Sequence, residues 1–250
     1  MMYRPVVTRP YLGITGFTSA AQVREALAIV PPASRRLVMV GVLASRRTCA
    51  GLPERSPRRL PPVDEIPGIF PDHPHALNLV HYYTDEPATL GRQLAGLAGR
   101  CGPNLHGFQI NGVWPSRRDL EEVRAARPGL RIVIQMEAAM LAGAPADAAQ
   151  RTREIAGLAD DLLLDASGGQ GRPLDPAALL PFLRALTDTT ARLGVAGGLS
   201  ASNLHLLEPL LAEFPDLSFD AETCLRDEED RLDLERVREY VRAGLRLVAG

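Results

Sequence analysis

The sequence predicts a single-domain α/β protein, a closed (β/α)8 or TIM barrel spanning residues 1–250. Three observations carry that expectation. Eight short β-rich segments alternate with amphipathic helical ones, no composition break divides the chain, and 250 residues is the usual size for eight such units. An open doubly wound sheet is the alternative for alternating units; the count favours closure.

The candidate strands are 6–14, 36–43, 76–83, 105–110, 131–137, 161–165, 194–196 and 217–220. Helical periodicity marks 20–30, 89–99, 116–126, 146–158, 176–193, 202–214 and 234–245, and several of these stretches open on a Ser, Asp or Thr able to cap first-turn amides. Residues 48–74 break the rhythm: they are dense in Pro and Arg and hold only a short helix candidate at 63–70. Loops that follow barrel strands build the mouth, so this insertion is expected there as a lid or substrate-binding loop.

A composition of 46% hydrophobic and 23% charged residues supports one ordinary core. The net charge of -2 offers no general attraction to nucleic acid or anionic membrane. No apolar run reaches membrane-spanning length, and the N-terminus Met-Met-Tyr-Arg-Pro lacks signal-peptide character, so a cytoplasmic protein is expected. Cys49, Cys101 and Cys224 are odd in number and far apart, which argues against a disulfide framework or zinc cluster. All 28 basic residues are Arg, which excludes a Schiff-base lysine, a pyridoxal-phosphate anchor and a P-loop lysine. Asp72-His73-Pro74-His75 has metal-like composition but precedes a strand in a Pro-rich loop; neither a metal nor another cofactor is expected.

Chemistry should collect where strand C-termini converge. Those ends supply Leu12, His81, Tyr83, Gln109, Asn111, Glu137, Asp165, Gly197, Gly198, Asp220 and Glu222. In the fifth strand Ile132, Ile134 and Met136 alternate with Val133, Gln135 and Glu137, so the polar set should face into the barrel and the apolar set the helices. Three late units run from an apolar strand into small residues: Leu164-Asp165 before Gly168-Gly169-Gln170-Gly171, Ala196-Gly197-Gly198-Leu199 before Asn203, and Phe219-Asp220 before Thr223-Cys224. Backbone amides in such turns can surround an anion.

These residues resemble the phosphoribosylanthranilate isomerase family of tryptophan biosynthesis. Leu12-Gly13-Ile14-Thr15 is similar to that family's Cys-Gly-Ile-Thr, Ser56-Pro57-Arg58 to its Ser-Pro-Arg, and Gln109-Ile110-Asn111-Gly112 to its Gln-Leu-His-Gly. The two late glycine units match in order and spacing, and the resemblance covers nearly the whole chain. It implies an aldose–ketose isomerisation of Amadori type on a small phosphorylated metabolite. Asp165 would be the general acid, and Arg58, or Arg47 in another register, would hold an aromatic carboxylate. Asn111 would touch substrate, while Gly169, Gly171, Gly197, Gly198 and Thr223 would bind phosphate.

Two positions depart from the pattern. Leu12 stands where the family has its general-base cysteine, so the base would come from Glu137 or His81, and activity on the family's own substrate should be weak. Thr223-Cys224-Leu225-Arg226 replaces a Ser-Gly turn and removes one phosphate-site glycine. A phospholigand-binding barrel without catalysis and a metal-assisted lyase or hydrolase using Glu137, Asp165 and Asp220 are the alternatives.

Overall fold

The computed structural model describes residues 8–54, 56–167 and 171–249. Eight strands pair in parallel and in sequence order, with the eighth closing onto the first. They are β1 (Tyr11–Thr15), β2 (Leu37–Ser45), β3 (Ala76–Tyr83), β4 (Gly107–Asn111), β5 (Arg131–Glu137), β6 (Asp161–Asp165), β7 (Arg192–Ala196) and β8 (Ser218–Ala221). The expected closed (β/α)8 barrel is what forms. Strand 1 starts later than the hydrophobic run predicts, because Pro10 has no amide for the ladder; residues 6 and 7 lie outside the described residues.

Ten α-helices occur among the described residues: α1 (Ala20–Leu27), α2 (Arg46–Cys49), α3 (Ile66–Ile69), α4 (Leu90–Arg100), α5 (Arg117–Ala126), α6 (Ala138–Leu141), α7 (Pro145–Glu154), α8 (Pro176–Ala185), α9 (Glu208–Glu213) and α10 (Leu234–Leu247). Local chemistry sets their ends. Ser19 and Ser116 form capping boxes with Gln22 and Asp119, and Asp175 and Asp233 cap α8 and α10. Helix α8 stops at Ala185, well short of the expected 193, because the hydroxyls of Thr187 and Thr189 bond the carbonyls of Arg184 and Leu186. Arg192 then donates its amide to the Asp160 carbonyl and begins β7. No helix among the described residues is long and apolar enough to cross a membrane.

Strand alternation divides the core in two. Tyr11, Leu37, Met39, Leu77, Leu79, Val133, Leu163 and Ala196 pack inside the barrel. The opposite set, including Val38, Val40, Ile132, Ile134 and Met136, packs in the layer shared with the helices. The alternation expected of β5 is therefore observed. At the N-terminal end the barrel is closed by a buried ion pair: Arg131 donates to both oxygens of Asp161 at 2.6 Å, with 0% and 2% of the two side chains exposed. Arg192 adds two bonds of 3.1 Å to the same carboxylate, and the Arg131 guanidinium lies 5.2 Å from the centre of the Tyr11 ring.

Candidate active site

At the opposite, C-terminal end the inward positions change from aliphatic to polar. They line a cavity with His81 from β3, Asn111 from β4, and Gln135 and Glu137 from β5. Asp165, Ser167 and Gly171 join from β6 and its loop, Ala196, Gly197 and Gly198 from β7 and its turn, and Asp220, Glu222 and Thr223 from β8 and the loop after it. Of the residues expected to bind or react, Asn111, Glu137, Asp165, Gly171, Gly197, Gly198 and Thr223 converge here. Gly169 lies outside the described residues.

Neither Arg58 nor Arg47 joins them. Arg58 donates to the Glu229 carbonyl at 2.7 Å and lines a separate surface cleft, while Arg47 is held by the Pro53 carbonyl. The arginine that reaches the cavity wall is Arg59, which bonds Glu222 at 2.8 Å and Asp230 at 2.6 Å and so ties the 48–74 insertion to the β8 loop. Arg226, almost fully buried, approaches Glu222 at 3.5 Å from the other side. Nothing in the sequence separates Arg58 from Arg59; which of two adjacent side chains points at the mouth is a matter of loop path.

The polar groups are connected. Asp165 accepts from the Ser167 amide at 2.9 Å, the Ser167 hydroxyl at 2.7 Å and Gln135 Nε2 at 2.8 Å. Gln109 Nε2 donates to Gln135 Oε1 at 3.0 Å and to Asp220 Oδ2 at 3.2 Å, and the Thr15 hydroxyl donates to Asp220 at 3.1 Å. Asp165 and Asp220 are thereby linked through two buried amides. Burial pushes the Asp220 carboxyl up to about 7, with Glu222 and Asp165 adding to the rise and Gln109 and Thr15 opposing it. Burial lowers His81, and neither of its ring nitrogens has a partner among the described residues. Glu137 sits at the rim and also walls a wider neighbouring cleft with Trp114 and Met140. Tyr83 is half exposed and outside the mouth cavity. Among the described residues, no three His, Cys, Asp or Glu side chains are grouped to hold a metal ion.

The expectation for Leu12 is corrected. Its side chain belongs to the outer layer, where a Cβ on Gly244 of α10 would collide with it. The inward residues of β1 are Tyr11, Gly13 and Thr15, so Leu12 does not occupy a place in the mouth. A Cβ at Gly13 would lie 2.5 Å from Asp220 Oδ1, so the Asp220 carboxylate fills the space an inward β1 side chain would take. Leu12→Cys is accordingly expected to create no activity and to lower stability by roughly 1–3 kcal/mol through lost packing. Denaturant unfolding and an isomerase assay on that variant check both halves.

In the β7 turn, Gly197 and Gly198 have φ of 134° and 53°, a region that disfavours side chains. At Gly198 a Cβ would lie 2.5 Å from the Gly171 carbonyl oxygen, so the β6 and β7 loops touch backbone to backbone. Asn203 fastens the turn by accepting from the Ser200 amide and donating to the Gly198 carbonyl, both at 2.8 Å.

No protein-family model and no curated protein matches this chain. Solved structures do. Phosphoribosyl anthranilate isomerase from Thermus thermophilus is 19% identical, with 95% of this chain and 99% of that one covered and a TM-score of 0.67. TrpF from Jonesia denitrificans is 20% identical over 96% and 98% of the two chains, with a TM-score of 0.64. Tryptophan synthase from M. tuberculosis is 15% identical over 96% and 94%, with a TM-score of 0.55. A phosphoribosyl anthranilate isomerase in complex with reduced 1-(o-carboxyphenylamino)-1-deoxyribulose 5-phosphate is 14% identical over 95% and 98%, with a TM-score of 0.62. An eight-stranded parallel barrel with a polar C-terminal mouth, matched over almost its full length by these structures, has the fold of the phosphoribosylanthranilate isomerase barrels.

Proposed function

We propose that this barrel binds a small phosphorylated sugar derivative and isomerises it by acid–base chemistry, with Asp165 as general acid. One observation carries the reading: Asp165 and the Gly197–Gly198 turn share the mouth cavity, with Asp165 Oδ1 3.8 Å from where a Gly197 Cβ would sit. A phosphate held by that turn would present its sugar to the carboxyl group. Gly171 and Thr223 border the same space, and a hydroxyl and a glycine turn are suited to an anion. The complex with a phosphorylated ribulose derivative among the structural neighbours supports the same ligand class.

Charge sets the limits of the reading. Glu137, Asp165, Asp220 and Glu222 make the cavity acidic, so a phosphate must sit at its β6–β7 edge on backbone amides rather than deep in the barrel. Titration with ribose 5-phosphate, followed by ¹H–¹⁵N spectra, is expected to move the amides of Gly171, Gly197 and Gly198. Saturating ligand that leaves all three in place sinks the phosphate site and the sugar-phosphate reading with it. Binding without turnover of any phosphorylated glycosylamine points instead to a ligand-binding barrel that lacks catalysis.

A further inference from the structure

We infer that Asp220 is the general base of this site, in the space where an inward β1 side chain would stand. The inference rests on the acid–base reading above and adds the group that reading leaves open. Proton removal from carbon needs a basic group that is held in place and exposed to the substrate cavity. Asp220 meets both conditions. It lines the mouth, Thr15 and Gln109 orient its oxygens, and Gly13 is a glycine where any larger residue would displace it.

The other candidates lack one condition each. Glu137 lies at the rim with no hydrogen-bond partner among the described residues to aim it. His81 lines the cavity, but neither ring nitrogen is held by a described partner, so nothing sets its tautomer or ring orientation.

Asp165 gives its proton to the ring oxygen of a glycosylamine as the C1–O bond breaks, and the nitrogen lone pair forms the C1=N bond. Asp220 then takes the proton from C2; the C2–H electron pair becomes the C1=C2 bond and the C1=N pair returns to nitrogen. Return of that proton from Asp220 to C1, with the enol proton passing to the Asp165 carboxylate, yields the ketone and restores both groups. The Gln109–Gln135 bridge keeps the two carboxyls in fixed relation throughout.

The charged and titratable groups around Asp220 are Asp165 on β6, Glu222 beyond β8, His81 on β3, Tyr11 on β1 and Tyr240 on α10. Glu222 and an ionised Asp165 favour a protonated Asp220; the two carboxyls are coupled, so in the working form, with the proton on Asp165, that charge no longer opposes ionisation of Asp220. Its proton affinity is raised by folding, so the native state holds a proton between pH about 4 and about 7 that the unfolded chain releases. The stability this gives is lost progressively as pH rises from about 4 to about 7, and above that the ionised, buried group leaves the fold at its least stable. Asp220→Asn is therefore expected to fold and to melt no lower than wild type at pH 8, which makes it a usable test.

The probe is the glycosylamine that forms from ribose 5-phosphate and aniline in D₂O, with loss of the C2 proton signal followed by NMR. Wild type is expected to catalyse the exchange with a rate that falls as pH drops below about 7. Asp220→Asn should lower it about 10²–10⁴-fold, and at least tenfold more than Glu137→Gln or His81→Asn does. Gly13→Ala, which crowds the carboxylate without removing it, should also lose most of the exchange. Exchange that persists in Asp220→Asn overturns Asp220 as the base and leaves the isomerase reading standing. Wild type that binds the probe without exchanging C2 overturns both.

Discussion

Asp165→Asn is expected to fold and bind ribose 5-phosphate, yet to lose about 10²–10⁴-fold of any turnover of a phosphorylated glycosylamine. The substitution removes the transferable proton while keeping the shape. Its oxygen can still accept from the Ser167 amide and hydroxyl, so the turn after β6 stays fastened. The introduced amide would, however, face Gln135 Nε2, donor against donor. Gln135 can rotate its amide to recover, which turns a donor toward Gln109 and forces Gln109 to rotate as well. Gln109 would then offer oxygen to Asp220, an arrangement that requires a protonated Asp220. Losing the Gln109 donor raises the Asp220 titration and losing the Asp165 charge lowers it; the hydrogen bond is the larger of the two influences, so a net shift to higher pH is expected, visible by carboxyl ¹³C NMR. Full activity with unchanged folding rules out Asp165 as the acid.

Asp161→Ala carries the largest expected stability effect, about 3–5 kcal/mol, because it takes the carboxylate away from a guanidinium with none of its side chain exposed, leaving it neutral acceptors such as the Arg9 carbonyl. The Tyr11 ring, 5.2 Å from the guanidinium, cannot replace two charge-assisted bonds. Replacing both partners, Arg131→Met with Asp161→Leu, should recover part of the loss, since two apolar side chains remove both buried charges together, while the partly exposed Arg192 still loses its two bonds to Asp161. Urea unfolding of the single and double variants measures this directly. A single variant within 1 kcal/mol of wild type would show that water reaches the N-terminal end of the barrel and solvates Arg131.

Much of the candidate site was legible because strand β5 announces its own phase. Val133, Gln135 and Glu137 are more polar than Ile132, Ile134 and Met136, so the inward set can be told from the outward one along the strand alone. Strand β1 gives no such signal. Tyr11, Gly13 and Thr15 alternate with Leu12 and Ile14, both sets suit a buried face, and a textual match to a catalytic cysteine placed Leu12 in the mouth when it packs against α10. A shift of one residue in a strand exchanges its faces, and only closure of the barrel against β8 and α10 selects one.

What the sequence determined by itself is local: eight apolar segments with helical partners, the caps that start the helices, the absence of lysine chemistry, and an aspartate at the end of β6 ahead of a glycine-rich sequence. These follow from side-chain periodicity and backbone preference, which act over a few residues. The tertiary structure decided which side chains meet across the barrel. Asp220 fills the space above Gly13, 207 positions away, Arg59 rather than Arg58 reaches Glu222, and two glutamines join Asp165 to Asp220. Those pairings depend on how eight strands stagger when the sheet closes, a condition set by the whole barrel at once rather than by any segment of it.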